Sequence, residues 1–261
     1  MPRCLSQVTS DLAVGLGPDV VAGLGDYQYE DAKADSYRSQ YDPGWGRLRD
    51  ITRPALGNQE YKVHAANTFF AYFGDQAGPR SGWYSYDVGS WHVVVLNSNC
   101  DLAGGCGPDS PQVQWLRDDL AAHDGTRCTL AYWHHPRFST GLHGSDARSA
   151  TFWEVLAAHH ADVVLAAHEH DYQRFEPVNP TGGSDPQGIR SFVVGTGGQA
   201  TYAPDETTGE AGRRRAAATT PTVRVDDTVG VLGLTLDPEG YRWRFVDATG
   251  ATRDQGTAAC Q

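Results

Sequence analysis

The stretch VLAAHEHDYQRF (164–175) places His168 and His170 two residues apart at the end of a run of small and β-branched residues. Two imidazoles on a strand tip bind a metal only when partners arrive from elsewhere in the chain; alone they mark a polar strand end. The zinc-hydrolase spacing HxHxDH is excluded, because it needs aspartate at 172, where the chain has Tyr172. Other tips supply partners. DVVAGLGD (19–26) ends in Asp26, with Tyr29 three residues on. CTLAYWHH (128–135) ends in His134 and His135, and PALGNQEY (54–61) offers Asn58 and Glu60. Carboxylate, amide and imidazole together suit a borderline cation such as zinc, manganese or iron. No G-x-S-x-G elbow and no phosphate-cradling P-loop competes.

These tips need strands behind them. HVVVLNSN (92–99), CTLAYWHH, ADVVLAAH (161–168) and SFVVGTGG (191–198) are continuous rather than alternating apolar runs, the mark of strands buried on both faces. Helical patterns lie between them. Ser110-Pro111 forms an N-cap and first turn ahead of Val113, Leu116 and Leu120; Phe152, Val155, Leu156 and His159 form a second stripe, and Leu5, Val8 and Leu12 a third. Near the end GVLGLTLD and YRWRFVD alternate around Pro238-Glu239-Gly240 and predict an antiparallel hairpin. The pattern predicts one α/β domain over 1–261 with a β-rich end. In such sheets ligands gather outside the carboxyl ends of strands, so the tips can converge.

A net charge of −11 argues against nucleic acid or an anionic membrane as the main partner. The basic run Arg213–Arg215 sits in a Gly/Ala/Thr-rich stretch and reads as solvated loop. No segment approaches the roughly 18 apolar residues of a membrane span. Of Cys4, Cys100, Cys106, Cys128 and Cys260, the pair bracketing CDLAGGC predicts a Cys100–Cys106 disulfide and an exported protein, although MPRCLSQ is no signal peptide.

GDYQY, GNQE, WHHP and AHEH, in this order and spacing, resemble the calcineurin-like metallophosphoesterases, and most closely the purple-acid-phosphatase branch with its GDxxY, GNH and GHxH motifs. The resemblance runs over roughly residues 4–259, through YDPGWGRLRDITRPALGNQEY and DDTVGVLGLTL, stretches similar to secreted actinobacterial phosphoesterases. It implies a four-layer αββα sandwich of two mixed sheets flanked by helices, with two divalent or trivalent ions (iron, zinc or manganese) on its rim. Residue by residue, it implies that Asp26 bridges, that Asn58, His134 and His168 complete one site, and that Tyr29 and His170 belong to the other. Two such ions about 3.5–4 Å apart hold a phosphate oxygen and lower the pKa of a bound water for attack on a phosphate ester. For His143, in STGLHGSD, a phosphate-facing role and an ordinary loop position weigh equally, whereas His135 reads as a supporting residue and His159 and His160 as structural.

The chain departs from the family twice. It starts at the first helix, without the family's first strand and the metal-binding aspartate that ends it. The expectation is an N-terminally truncated, secreted protein with a weakened second metal site, a lost signal peptide and a lost partner for Cys4. Gln59 also stands where the family has a phosphate-contacting histidine, and an amide cannot transfer a proton near neutral pH. The leading reading is a metal-dependent phosphoesterase. The alternatives are a degenerate relative that binds phosphate or a nucleotide with negligible turnover, and a structural or adhesion domain.

Overall fold

The computed structural model describes residues 4–29, 32–202 and 219–261, so Arg213–Arg215 lies outside the described residues. From the amino end, α1 (Leu5–Leu16) leads to β1 (Val21–Gly23). A one-turn helix α2 (Ala34–Ser36) and further short turns lead to β2 (Thr52–Pro54), α3 (Asn67–Phe73), β3 (Tyr84–Val88) and β4 (Trp91–Val95). Then come α4 (Pro111–Ala122), β5 (Cys128–Tyr132), α5 (Ala150–Ala158), β6 (Val163–Ala166), β7 (Tyr172–Val178), β8 (Ile189–Val194), β9 (Val223–Val225), β10 (Gly230–Asp237), β11 (Gly240–Asp247) and β12 (Thr252–Ala259).

Seven strands form one mixed sheet in the order β3–β4–β5–β6–β8–β7–β9, parallel from β4 through β8 and antiparallel at both margins. The apolar runs of β4, β5 and β6 are buried along their whole length. One face packs Val94, Ala131 and Val164 against Val113, Leu116 and Leu120 of α4 and Phe152 and Leu156 of α5. Ser110 caps α4 as expected, its side chain accepting from Val113 N–H with Pro111 in the first turn. The other face packs Trp91, Val93, Leu130 and Leu165 against Tyr241, Trp243 and Phe245 of β11. The predicted hairpin is β10–β11, with Asp237 opposite Gly240, and β12 adds a third antiparallel strand that the sequence reading did not single out.

The Leu5, Val8 and Leu12 stripe lies on a helix as expected, but α1 buries a different face. On α1 the buried residues are Thr9, Ser10 and Ala13, whereas Leu5 is exposed. Polar contacts explain this: the Thr9 hydroxyl donates to the Gly197 carbonyl, and the Arg47 guanidinium donates to Ser10 Oγ.

The second layer comes in two pieces. β1 pairs in parallel with β2, and β10–β11–β12 form a separate antiparallel sheet. Between the pieces lies a cavity of about 1550 Å³, walled by Val21–Gly23 and Gly230–Leu236 and floored by Val93, Leu130, Leu165 and Val194. Among the described residues, β1 and β10 each pair along one edge only. Leu232, Leu234 and Leu236 therefore pack against the core while staying only partly buried.

Two disulfides are present. Cys100–Cys106 closes the glycine loop as expected. Cys128–Cys260 ties the start of β5 to the end of the chain across 132 residues, a pairing that spacing alone did not suggest. A link over so long a loop stabilises by roughly 2–4 kcal/mol. Cys4 is a free, exposed thiol. Among the described residues, no helix is long and apolar enough to cross a membrane.

Candidate metal centre

Six predicted ligands arrive on three separate tips and one loop, and the fold brings them together. Asp26 follows β1 in a tight turn and itself takes φ 58°, while His168, just past β6, takes φ 66°. Left-handed backbone at non-glycine residues is costly and collects where function requires it. Two glycines permit the close approach of the Asp26 turn to the Asn58 loop. A Cβ on Gly25 (φ 91°) would stand 2.5 Å from Gly57 N and 2.8 Å from His134 Nδ1, and one on Gly57 would collide with Asp26 Oδ1.

Glu60 locks these two segments. It is buried, and its carboxylate accepts N–H bonds from Asp26 (2.9 Å), Tyr27 (2.9 Å) and Gly57 (2.7 Å). Burial first and the nearby Asp26 second push its pKa up to about 7, against the pull of those N–H groups. The sequence reading offered Glu60 as a cation ligand; it is instead the clamp behind Asp26.

His134 is the focus. Its Nδ1 lies 2.7 Å from the Leu24 carbonyl, which fixes Nδ1 as the donor and turns the Nε2 lone pair inward. Around Nε2 stand Asn58 Oδ1 at 3.1 Å, His168 Nδ1 at 3.2 Å and Asp26 Oδ2 at 3.3 Å. Ligand atoms around a zinc-sized ion, each about 2.0–2.2 Å from it, stand roughly 3.0–3.5 Å apart. The donor set and its spacing fit a metal.

Electrostatics agree. Burial raises the Asp26 carboxyl, but His134 and the Gln59 N–H (2.9 Å) outweigh it and hold it below the usual range. Burial lowers His134, but Asp26 and the Leu24 carbonyl outweigh that and raise it, so without an ion the pair favours a proton on His134, which an incoming cation must displace. His168 is pushed down to about 3 by burial, then by His134 and His143, so it stays neutral and able to ligate.

Tyr29 and His170 meet beside this set, with Tyr29 Oη 3.2 Å from His170 Nε2 and the rings edge to face at 5.8 Å. Burial raises the Tyr29 phenol and lowers His170. The predicted catalytic residues also border the site. Gln59 carries a buried side-chain oxygen without a hydrogen-bond partner. The His143 ring lies 4.5 Å from that of His168, and its Nε2 is 2.9 Å from the Tyr202 hydroxyl.

His135, read from the sequence as a supporting residue, has its ligand atoms within 4.8 Å of those of His134 and His168. Ser98 Oγ accepts the His135 backbone N–H (3.0 Å) and also hydrogen-bonds with His135 Nδ1 (2.8 Å), holding the ring in place. Burial first, then His134 and His168, push its pKa down to about 2, so its ring is neutral. Tyr202 was missed. It stacks on His170 at 4.5 Å, and its hydroxyl donates to the His168 carbonyl (3.2 Å). A lone tyrosine 32 residues past His170 gives no periodic or motif signal.

Asp87, His92 and His123 form another group with ligand atoms close together. Both His92 nitrogens are engaged, by Asp87 (3.0 Å) and Asp119 (2.8 Å), and its ring stacks flat on His123 at 3.7 Å. Parallel rings share no in-plane point for an ion, so this is an ion pair bridging two carboxylates.

Comparison with known proteins agrees with the geometry. No family model matches the chain. Purple acid phosphatase 21 of Arabidopsis thaliana is 31% identical over 202 residues, covering 69% of this chain and 44% of that protein. Purple acid phosphatase 15 of the same plant is 27% identical over 241 residues, covering 78% of this chain and 44% of that protein. The chain thus spans less than half the length of these curated relatives. The solved structure of purple acid phosphatase PPD1 from yellow lupin (Lupinus luteus) seeds superposes with a TM-score of 0.75 at 18% identity, covering 98% of this chain and 49% of that one. By its ordered ligands, its layered sheets and these relatives, the chain belongs to the calcineurin-like metallophosphoesterases, on their purple-acid-phosphatase-like side.

Proposed function

We propose that the chain hydrolyses small phosphate esters with metal ions held at this rim. The observation that carries the reading is the set of three ligand atoms within 3.3 Å of His134 Nε2. Asp26, Asn58, His134 and His168 would hold one ion; Tyr29 and His170 would hold the other, with Asp26 shared. When bound, the ions polarise the phosphate and lower the pKa of a water. The chain's own groups do the rest. The Leu24 carbonyl and the Glu60 carboxylate fix His134 and the Asp26 turn, so the ligands are held in place before an ion arrives. His143 lies beside His168, with its ring 4.5 Å away, and is the residue that would meet the phosphate. The two disulfides support folding in an oxidising compartment, in keeping with the exported protein expected above.

The test is an aryl phosphate assay with metal analysis. Turnover should require metal, vanish with a chelator and return on adding back zinc, manganese or iron. Turnover that survives complete metal removal defeats the proposal. Gln59 favours a second reading, a binder with negligible turnover, and metal and phosphate binding without turnover would select it.

Gln59→His is expected to raise turnover. The residue adjoins Asn58, and its backbone N–H bonds Asp26 Oδ1, so position 59 borders the proposed metal site, where an imidazole can donate a proton that an amide cannot. A positioned acid contributes about 10²–10⁴ in rate where the leaving group needs a proton. The gain should reach at least about tenfold for alkyl phosphates and stay smaller for aryl phosphates. Equal gains, or none, would remove any acid role for position 59.

A further inference from the structure

The residue between the two histidines of the AHEH tip is Glu169, and its side chain is completely buried. A buried carboxylate is costly unless hydrogen bonds satisfy it. Here Oε1 accepts two backbone N–H bonds, from His143 at 2.7 Å and Gly144 at 2.6 Å. The loop is shaped around that carboxylate: a Cβ on Gly141 would collide with Glu169 Oε2. Ser139 Oγ accepts the Gly141 N–H (2.9 Å) and a bond from Gln173 Nε2 (3.0 Å), which fixes the loop's other end to β7.

The loop's cargo is His143. Its ring faces that of His168 at 4.5 Å, and its Nε2 meets the Tyr202 hydroxyl at 2.9 Å. That hydroxyl spends its one hydrogen on the His168 carbonyl, so His143 Nε2 is the protonated nitrogen of the pair. Glu169 thus holds the backbone of the loop and Tyr202 the tautomer of its imidazole, both referenced to the tip that carries His168 and His170.

We propose that Glu169 is a positioning residue that fixes His143 over the metal centre by anchoring the 139–145 loop. Its catalytic consequence rests on the reading above, in which His143 meets the phosphate. Loop anchoring is read without catalysis, from hydrogen exchange at the His143 and Gly144 amides in the full chain. Both amides should be protected in the parent and in Glu169→Gln, whose amide oxygen still accepts. They should exchange at least about tenfold faster in Glu169→Ala and in Gly141→Ala, which crowds the carboxylate without removing it. The catalytic consequence is read from a double-mutant cycle with aryl phosphate and from the affinity for inorganic phosphate. Groups that orient a metal centre from behind typically contribute 10–100-fold. Glu169→Ala should therefore lower kcat/KM by about that factor with metal content unchanged, and should add little in a His143→Ala background. Unchanged amide exchange, loss of metal in Glu169→Ala, or losses fully additive with a His143→Ala that itself lowers kcat/KM would each overturn the proposal. Altered exchange with a silent His143→Ala would uphold the anchor and reject only the role of His143 at phosphate. If Glu169→Ala does not fold, Gly141→Ala and Glu169→Gln carry the same comparison.

Discussion

His168→Ala is expected to strip most of the bound metal from a chain that still folds. His168 follows a fully buried strand and places Nδ1 3.2 Å from His134 Nε2, in the set with Asp26 and Asn58. Partners outside the ligand shell already contribute 10–100-fold to metal affinity, so removing a ligand should cost at least about 100-fold. The backbone at 168 supplies a control. With φ at 66°, histidine and alanine both bear the left-handed strain of about 1–2 kcal/mol, which glycine escapes. His168→Gly should lose metal as fully as His168→Ala while melting no lower, which separates ligand loss from damage to the fold. Metal content and thermal unfolding of both variants check this. Full metal stoichiometry in folded His168→Ala would exclude the residue as a ligand.

The cavity between β1 and β10 leads to the second large effect. β1 runs toward the site, because Asp26 follows Gly23 by three residues. β10 starts at the site end, where Gly230 N–H donates to the Thr196 carbonyl (3.1 Å). Cys4 also lines the cavity, as do Asp26, Tyr29 and His170. An extended segment joined to the amino end of the chain would therefore lie parallel to β1 and antiparallel to β10, with its last residue beside Tyr29 and His170. Alternate apolar side chains would pack against the partly buried Leu232, Leu234 and Leu236, at roughly 1.5–3 kcal/mol for each one buried. Ordering the segment costs about 1–2 kcal/mol per residue, offset in part by hydrogen bonds to both open edges. The expected result is a rise in Tm of about 5–10 °C, since each kcal/mol moves Tm by roughly 2–4 °C at this size. A segment ending in aspartate should also raise the amount of metal bound per chain, by adding a carboxylate beside Tyr29 and His170; the same segment ending in asparagine should give the stability gain with a smaller gain in metal. No change in Tm with either segment would show that the cavity does not accept a strand.

The sequence by itself determined the strand tips and the candidate ligands they carry. Runs such as CTLAYWHH and VLAAHEH read as buried strands because a strand covered on both faces has no polar side to alternate with, and abrupt histidines after them have few packing reasons to be there. The α4 cap and the β10–β11 hairpin were legible for the same reason: Ser-Pro and Pro-Glu-Gly act locally, through backbone geometry that needs no distant partner. The polar buried face of α1 was not legible, because it depends on Gly197 and Arg47, far away in the chain. Nor was the Cys128–Cys260 bond, whose partners meet only after the sheets stack. The tertiary structure alone decided the supporting layer of the site. Glu60, Glu169 and Tyr202 act by pointing a carboxylate or hydroxyl at backbone N–H and C=O groups of other segments, and every residue has those groups, so no side-chain pattern announces which will be bonded. Ligand identity is written in side-chain type; ligand posture is set by which backbones the fold brings within about 3 Å.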